Sequence, residues 1–119
     1  MLSGMRSVFC GLVDKNIVDK KIDLCGWVGH IRDYGGVVFV DLRDKSGIVQ
    51  VVFDQSISPD AYAIAVTLKN ESVIYVSGQV KFRSKETINK NILTGEIEII
   101  AEYLKVYNMS SVLPFPVSD

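Results

Sequence analysis

The stretch from Leu24 to Phe53, LCGWVGHIRDYGGVVFVDLRDKSGIVQVVF, places an aromatic ring, an amide and arginines where they can do chemistry. Side chains along a strand alternate between its two faces. If Val38, Val40 and Leu42 face a core, then Val37, Phe39, Asp41 and Arg43 share the opposite face. A phenyl ring on a solvent-side face beside charged groups is suited to stacking. Aromatic platforms on small β-barrels hold single-stranded bases in this way. The competing reading is a ring covered by a neighbouring loop, and spacing alone leaves both open.

The elements that must position these residues follow from periodicity. Ile22 to His30 is a first strand, with Gly26 beside Trp27 suggesting a bend or bulge. Asp33-Tyr34-Gly35-Gly36 is a turn, Val37 to Arg43 a second strand, Asp44-Lys45-Ser46-Gly47 a polar turn, and Ile48 to Phe53 a third strand. Setting Arg43 opposite Ile48 brings Asp41 to Gln50 and Phe39 to Val52. That register puts Phe39, Asp41, Gln50 and Val52 on one side, and Val38, Val40, Val49 and Val51 on the other.

A helix is expected over Ser58–Asn70. Ser58 is the N-cap, Pro59 takes the first helical position and Asp60 complements the dipole. Ala61, Ile64, Ala65 and Leu68 form its buried stripe. Val73 to Arg83 is a fourth strand interrupted at Gly78, and Ser84 to Gly95 a polar loop. Glu96 to Asn108 is a fifth strand, with Ile97 and Ile99 inward and Glu96 and Glu98 outward. LPFPVSD at the end reads as an extended, Pro-rich linker. Three strands, a helix and two strands make an all-β architecture with one helix. This is the order of the OB-fold, a five-stranded Greek-key barrel with its helix between strands 3 and 4. The fold alone assigns no activity.

Composition narrows the classes. The chain has 119 residues, 48% of them hydrophobic and 23% charged, as expected of one soluble domain. Its bounds are read as residues 5–112, with a linker beginning at 113. No apolar run approaches the roughly 20 residues that span a bilayer, and MLSGMRS is no signal peptide, so a cytoplasmic location with no membrane partner is expected. Cys10 and Cys25 lack metal-ligand spacing and read as a reduced pair. Net charge is −1, so a nucleic-acid surface must be local. Arg32, Arg43 and Lys45 form one basic group, and Lys81, Arg83, Lys85 and Lys90 another. Asp41, Arg43 and Asp44 read as a hairpin charge network able to fix Gln50. His30 reads as exposed and Trp27 as core or rim packing. No nucleophile–base pair or metal constellation is visible, which argues against a stand-alone enzyme.

These residues carry a resemblance. LCGWV, RDYGGVVFVDLRDKSGIVQVVF, TGEIEI and LPFP, spanning about Met5 to Pro116, resemble the N-terminal anticodon-binding domain of bacterial aspartyl-tRNA synthetases. The resemblance implies a class II ligase that joins aspartate to tRNA with ATP and magnesium, usually as a homodimer. It implies that this chain binds the tRNA anticodon loop, needs no cofactor itself, and precedes a catalytic domain whose signature motifs cannot fit after Pro116. It further implies that Phe39 stacks on a base and Gln50 reads the central uridine. Arg32 and Arg83 would bind RNA, and Glu98 would read the first anticodon base, guanosine or its queuosine derivative.

The chemistry of these types is consistent. One amide satisfies a uracil N3–H and a neighbouring carbonyl. One carboxylate accepts from the adjacent N1–H and amino group of guanine, while repelling phosphates. On pattern alone, Gln50 and Glu98 are solvated strand residues, and the arginines are surface ion pairs. The sequence departs from the family in three places. His30-Ile31-Arg32 stands where many relatives have three arginines, Asp19 stands at a common glycine, and Thr87 at a common asparagine. Three other readings remain: a general single-strand binder, a purely structural or protein-interaction OB domain, or the OB domain of a related asparaginyl or lysyl enzyme. Tyr34 and the loop around Lys85 would lie near the third anticodon base, where aspartate and asparagine tRNAs differ.

Overall fold

Five long strands pair around one shared apolar interior, and the chain closes into a barrel. The structure, a computed structural model, describes residues 6–7, 17–83 and 95–107. Its elements are β1 (Arg6–Ser7), β2 (Lys21–Asp33), β3 (Val37–Asp44), β4 (Gly47–Asp54), α1 (Pro59–Ala65), β5 (Val73–Phe82) and β6 (Ile97–Tyr107). Antiparallel pairing joins β2 to β3, β3 to β4, β5 to β6, and β2 to β5; β4 runs parallel to β6 and completes the ring. The five long strands are the expected OB barrel, with the helix between the third and fourth of them. The two-residue β1 adds a parallel pair to Ile22 and Asp23.

The hairpin register is the expected one: Arg43 pairs with Ile48, Asp41 with Gln50, and Phe39 with Val52. Val38, Val40, Leu42, Val49, Val51 and Phe53 are wholly buried in the barrel. Each such side chain contributes about 1.5–3 kcal/mol on leaving water. A one-residue slip would turn all of them outward, so burial fixes which face Phe39 and Gln50 occupy.

Several local expectations are corrected. Helix α1 is shorter than Ser58–Asn70 and ends at Ala65, followed by turns through Leu68. The Ser58 hydroxyl does not cap it. Instead Oγ donates to the Ala101 carbonyl at 2.7 Å and ties the helix start to β6. Ala61 and Ala65 are buried as expected and Leu68 packs on the core, but Ile64 is 38% exposed because a two-turn helix presents a narrow stripe. Gly78 does not interrupt β5; the irregularity lies in its pairing with β6, between Ser77 and Gly78.

Gly26 is not a bulge either. It is a close crossing, where an added Cβ would overlap the Arg43 carbonyl oxygen. The bulge sits two residues on, between Val28 and Ile31, and lets β2 run past His30 to Asp33. Trp27 is half-buried beside Val73 and Arg43 at the barrel wall. Asp19 explains one departure from the family. Its φ of 72° lies in the left-handed region that favours glycine. Its carboxylate also accepts from Lys81 Nζ at 2.6 Å.

Cys25 is free and half-buried, and burial, with help from Asp23 and Asp44, pushes its thiol up to about 11. Cys10, Lys85, Thr87, Lys90, most of the Ser84–Gly95 loop and the linker from 113 lie outside the described residues, as do Asn108 and the N-terminal edge of the proposed domain. Among the described residues no helix is long and apolar enough to cross a membrane.

Candidate nucleic-acid interface

Phe39 sits midway along β3, with Arg32 of β2 on one side and Val52 of β4 on the other. The bulge in β2 sets this position: without its one extra residue, Arg32 would fall out of step with Phe39. The guanidinium carbon of Arg32 lies 6.0 Å from the Phe39 ring centre, within cation–π range. Tyr34 meets the same ring edge-on, with centroids 5.6 Å apart and planes at 74°. Tyr34 is 65% exposed, so it is a wall beside Phe39 and not a lid over it.

The turn that carries Tyr34 is held firmly. Gly35 and Gly36 take φ values of 67° and 101°. Asp33 Oδ1 accepts from the Gly35 N–H at 2.9 Å, and the Gly36 N–H donates to the Tyr62 hydroxyl of α1 at 2.9 Å. Arg32, Tyr34, Val37, Phe39 and Gln50 together line a concavity of about 350 Å³. That is room for a base against Phe39.

Beside the ring runs a chain of polar side chains contributed by four strands. Arg32 Nη2 donates to Asp41 Oδ1 at 3.1 Å, and Nη1 to Oδ2 at 3.4 Å. The same Nη2 donates to Gln50 Oε1 at 3.0 Å. Gln50 Nε2 in turn donates to Glu98 Oε1 at 2.8 Å. The parallel β4–β6 pairing makes the last link, because Gln50 and Glu98 each precede the paired Val51 and Ile99 by one residue.

Arg83 ends the row. Its Nε donates to the Ile97 carbonyl at 2.9 Å and its backbone N–H to Glu96. Burial lowers its guanidinium below the usual arginine range, opposed by the nearby charges of Glu98 and Asp41. Burial likewise raises the Glu98 carboxyl above the ordinary range, opposed by the Gln50 hydrogen bond and by Arg83.

The structure therefore gathers all five expected residues, Arg32, Phe39, Gln50, Arg83 and Glu98, at one face. It changes the state of three. Gln50 is only 5% exposed and Arg83 8%, so neither is a solvated surface group. Glu98 is half-covered, unlike the exposed Glu96. Asp41 reaches Gln50 through Arg32, a link the hairpin pattern alone does not signal. Tyr34 joins Phe39 directly, a contact the sequence signals only through the turn residues beside it. His30 is exposed and lines a second, smaller concavity of about 260 Å³ with Gly29, Asp41, Arg43 and Ile48.

Residues 22–107 match the profile of the tRNA anticodon family, described as an OB-fold nucleic acid binding domain. The chain belongs to that family. It is 49% identical over 115 residues to an aspartate–tRNA(Asp/Asn) ligase of Prochlorococcus marinus (strain MIT 9211), covering 96% of this chain and 19% of that protein. It is 45% identical over 114 residues to a ligase of the same description from Aquifex aeolicus (strain VF5), with the same coverage of 96% and 19%. The chain thus spans about a fifth of the length of these relatives. Among solved structures it is similar to asparaginyl-tRNA synthetase from Pyrococcus horikoshii complexed with asparaginyl-adenylate. There the TM-score is 0.71 and the identity 31%, covering 92% of this chain and 24% of that one. The Phe39 face lies on β3 and β4, the second and third long strands of the barrel.

Proposed function

We propose that this domain reads the anticodon of a tRNA as one part of a longer aspartate–tRNA ligase. The observation that carries the reading is the Arg32–Gln50–Glu98 hydrogen-bond chain lying beside the Phe39–Tyr34 ring pair. Stacking without selection would need only the rings. A buried amide and a half-buried carboxylate weaken general affinity for a polyanion and are useful only if base edges meet them.

In this reading the central uridine stacks on Phe39. Gln50 retains one Oε1 lone pair and one Nε2 hydrogen beyond its internal bonds, which suit the N3–H and a carbonyl of uracil. Glu98 retains acceptor capacity for the N1–H and amino group of guanine at the first anticodon position. Arg32 and Arg83 neutralise the acidic pair and offer their outer faces to phosphate or base acceptors. His30 and Ile31 cannot supply the charge of two arginines, so phosphate attraction on that edge is weaker than in relatives that carry them.

The remainder of the proposed ligase supplies aminoacylation, with ATP and magnesium, in a cytoplasmic homodimer. Among the described residues no cluster of three His, Cys, Asp or Glu side chains is placed to hold a metal ion. The similar ligases are described for both aspartate and asparagine tRNAs, and we extend that breadth to this protein: it accepts GUC and GUU anticodons alike.

The test is selectivity at the first base. Wild type and Glu98→Gln are measured against GUC and AUC stem-loops at one salt concentration. Glutamine keeps the shape but turns an amino group toward a guanine donor, so its preference for G should fall by about 1–3 kcal/mol. An unchanged G-to-A ratio would make Glu98 a structural partner of Gln50 that reads no base.

A further inference from the structure

We propose that Asp41, which need touch no base, is the positioning residue that sets the domain's preference for uridine over cytidine at the central anticodon position; this rests on the reading of Gln50 given above.

The argument starts from the direction of each hydrogen bond. A carboxylate only accepts and a guanidinium only donates. Asp41 holds Arg32 through two of its nitrogens, and Nη2 of Arg32 then donates to Oε1 of Gln50. On the far side, Glu98 accepts from Nε2 of Gln50. An acceptor at one end of the chain and a donor-only group inside it leave the amide one orientation. Its oxygen faces Arg32 and its nitrogen faces Glu98. Turning the amide over would set its N–H₂ against the guanidinium and its oxygen against the carboxylate.

That orientation matters because the two pyrimidines differ by reversal. Uracil offers an N3–H donor beside a carbonyl acceptor. Cytosine offers an N3 acceptor beside an amino donor. An amide free to turn over pairs equally well with both. An amide held in one orientation, against a base held in one place by Phe39, pairs with only one of them. The U-over-C choice therefore belongs to whatever holds the amide. Gln50 cannot hold itself, and Arg32 has several rotamers unless Asp41 clamps it. Asp41 lies directly across from Gln50 in the hairpin and forms the ion pair with Arg32, so it aligns donor and amide together.

The experiment compares the whole domain with Asp41→Asn and Asp41→Ala, binding anticodon stem-loops GUC and GCC at one salt concentration. Wild type should prefer GUC. In Asp41→Ala the U-to-C ratio should fall by about tenfold, within the range a bidentate base contact supports, and Asp41→Asn should fall between. A second readout needs no RNA. The side-chain NεH2 signals of Gln50, followed by NMR, should lie away from those of a free glutamine and exchange slowly with solvent in wild type, and should move to free-glutamine positions and exchange faster in Asp41→Ala. A merely structural role would weaken GUC and GCC binding alike and leave the ratio unchanged, which overturns the proposal. So would an unchanged Gln50 amide signal in a folded variant. If wild type itself binds GUC and GCC equally while its Gln50 amide is fixed, the reading of Gln50 fails and the proposal falls with it.

Discussion

Phe39 and Glu98 mark the two costs at residue scale, a ring kept from the core and a carboxylate kept from water. Phe39→Ala should weaken binding of a GUC stem-loop by about 1–3 kcal/mol, read by fluorescence anisotropy, with the circular dichroism spectrum unchanged. The spectrum should hold because the barrel core lies on the opposite face, under Val38 and Val40. For Glu98 the sign of the pH effect follows from its raised carboxyl. Burial favours the neutral acid in the folded state, so stability from this group is present below the ordinary carboxylate range and is lost as pH rises through the raised value. Glu98→Gln should therefore melt higher than wild type at neutral pH, with the gap closing as pH falls below that range. A gap that widens in acid would mean that the Gln50 and Arg83 contacts outweigh burial. Much of this face was legible from alternation, since Phe39, Asp41 and Gln50 share it by register alone. The Arg32–Gln50 bond was not legible, because it joins strands whose relative offset depends on a bulge.

Elements decide that offset. The sequence marked Gly26 as unusual, but its reason is a close approach of β2 to the Arg43 carbonyl, and periodicity along one strand does not reveal a neighbour's backbone. The bulge after Val28 carries no glycine-only conformation and left no signal beyond Gly29. Gly26→Ala must push β2 and β3 apart at this crossing. It should cost about 1–3 kcal/mol in urea unfolding, as overpacking does. Because Arg32 lies on β2 beyond the crossing and Asp41 on β3, RNA selectivity should suffer along with stability. A fully stable Gly26→Ala domain would show that the crossing has slack. The helix was the least legible element. Ser58-Pro59-Asp60 correctly announced its start, yet the Ser58 hydroxyl serves β6, and no residue between Ala65 and Asn70 signals the early stop.

At the scale of the whole molecule, the barrel brings side chains of separate strands into one row. Closure of the barrel brings Arg32 of β2, Gln50 of β4 and Glu98 of β6 together, although they are far apart in the chain. The net charge of −1 gives no long-range pull toward nucleic acid, and Lys21 and Lys81 are each paired with a carboxylate. Binding must then depend on base edges more than on phosphates. Two stem-loops of equal charge and equal base composition separate these contributions: one carrying the anticodon GUC, the other the reversed order CUG. Their affinities for the domain, measured at one salt concentration, test the central claim most directly. Reading of the first base predicts at least about fivefold tighter binding of GUC, since each mismatched base typically costs about 1–3 kcal/mol. Equal affinities for GUC and CUG would contradict it and leave a barrel that holds single strands without reading them.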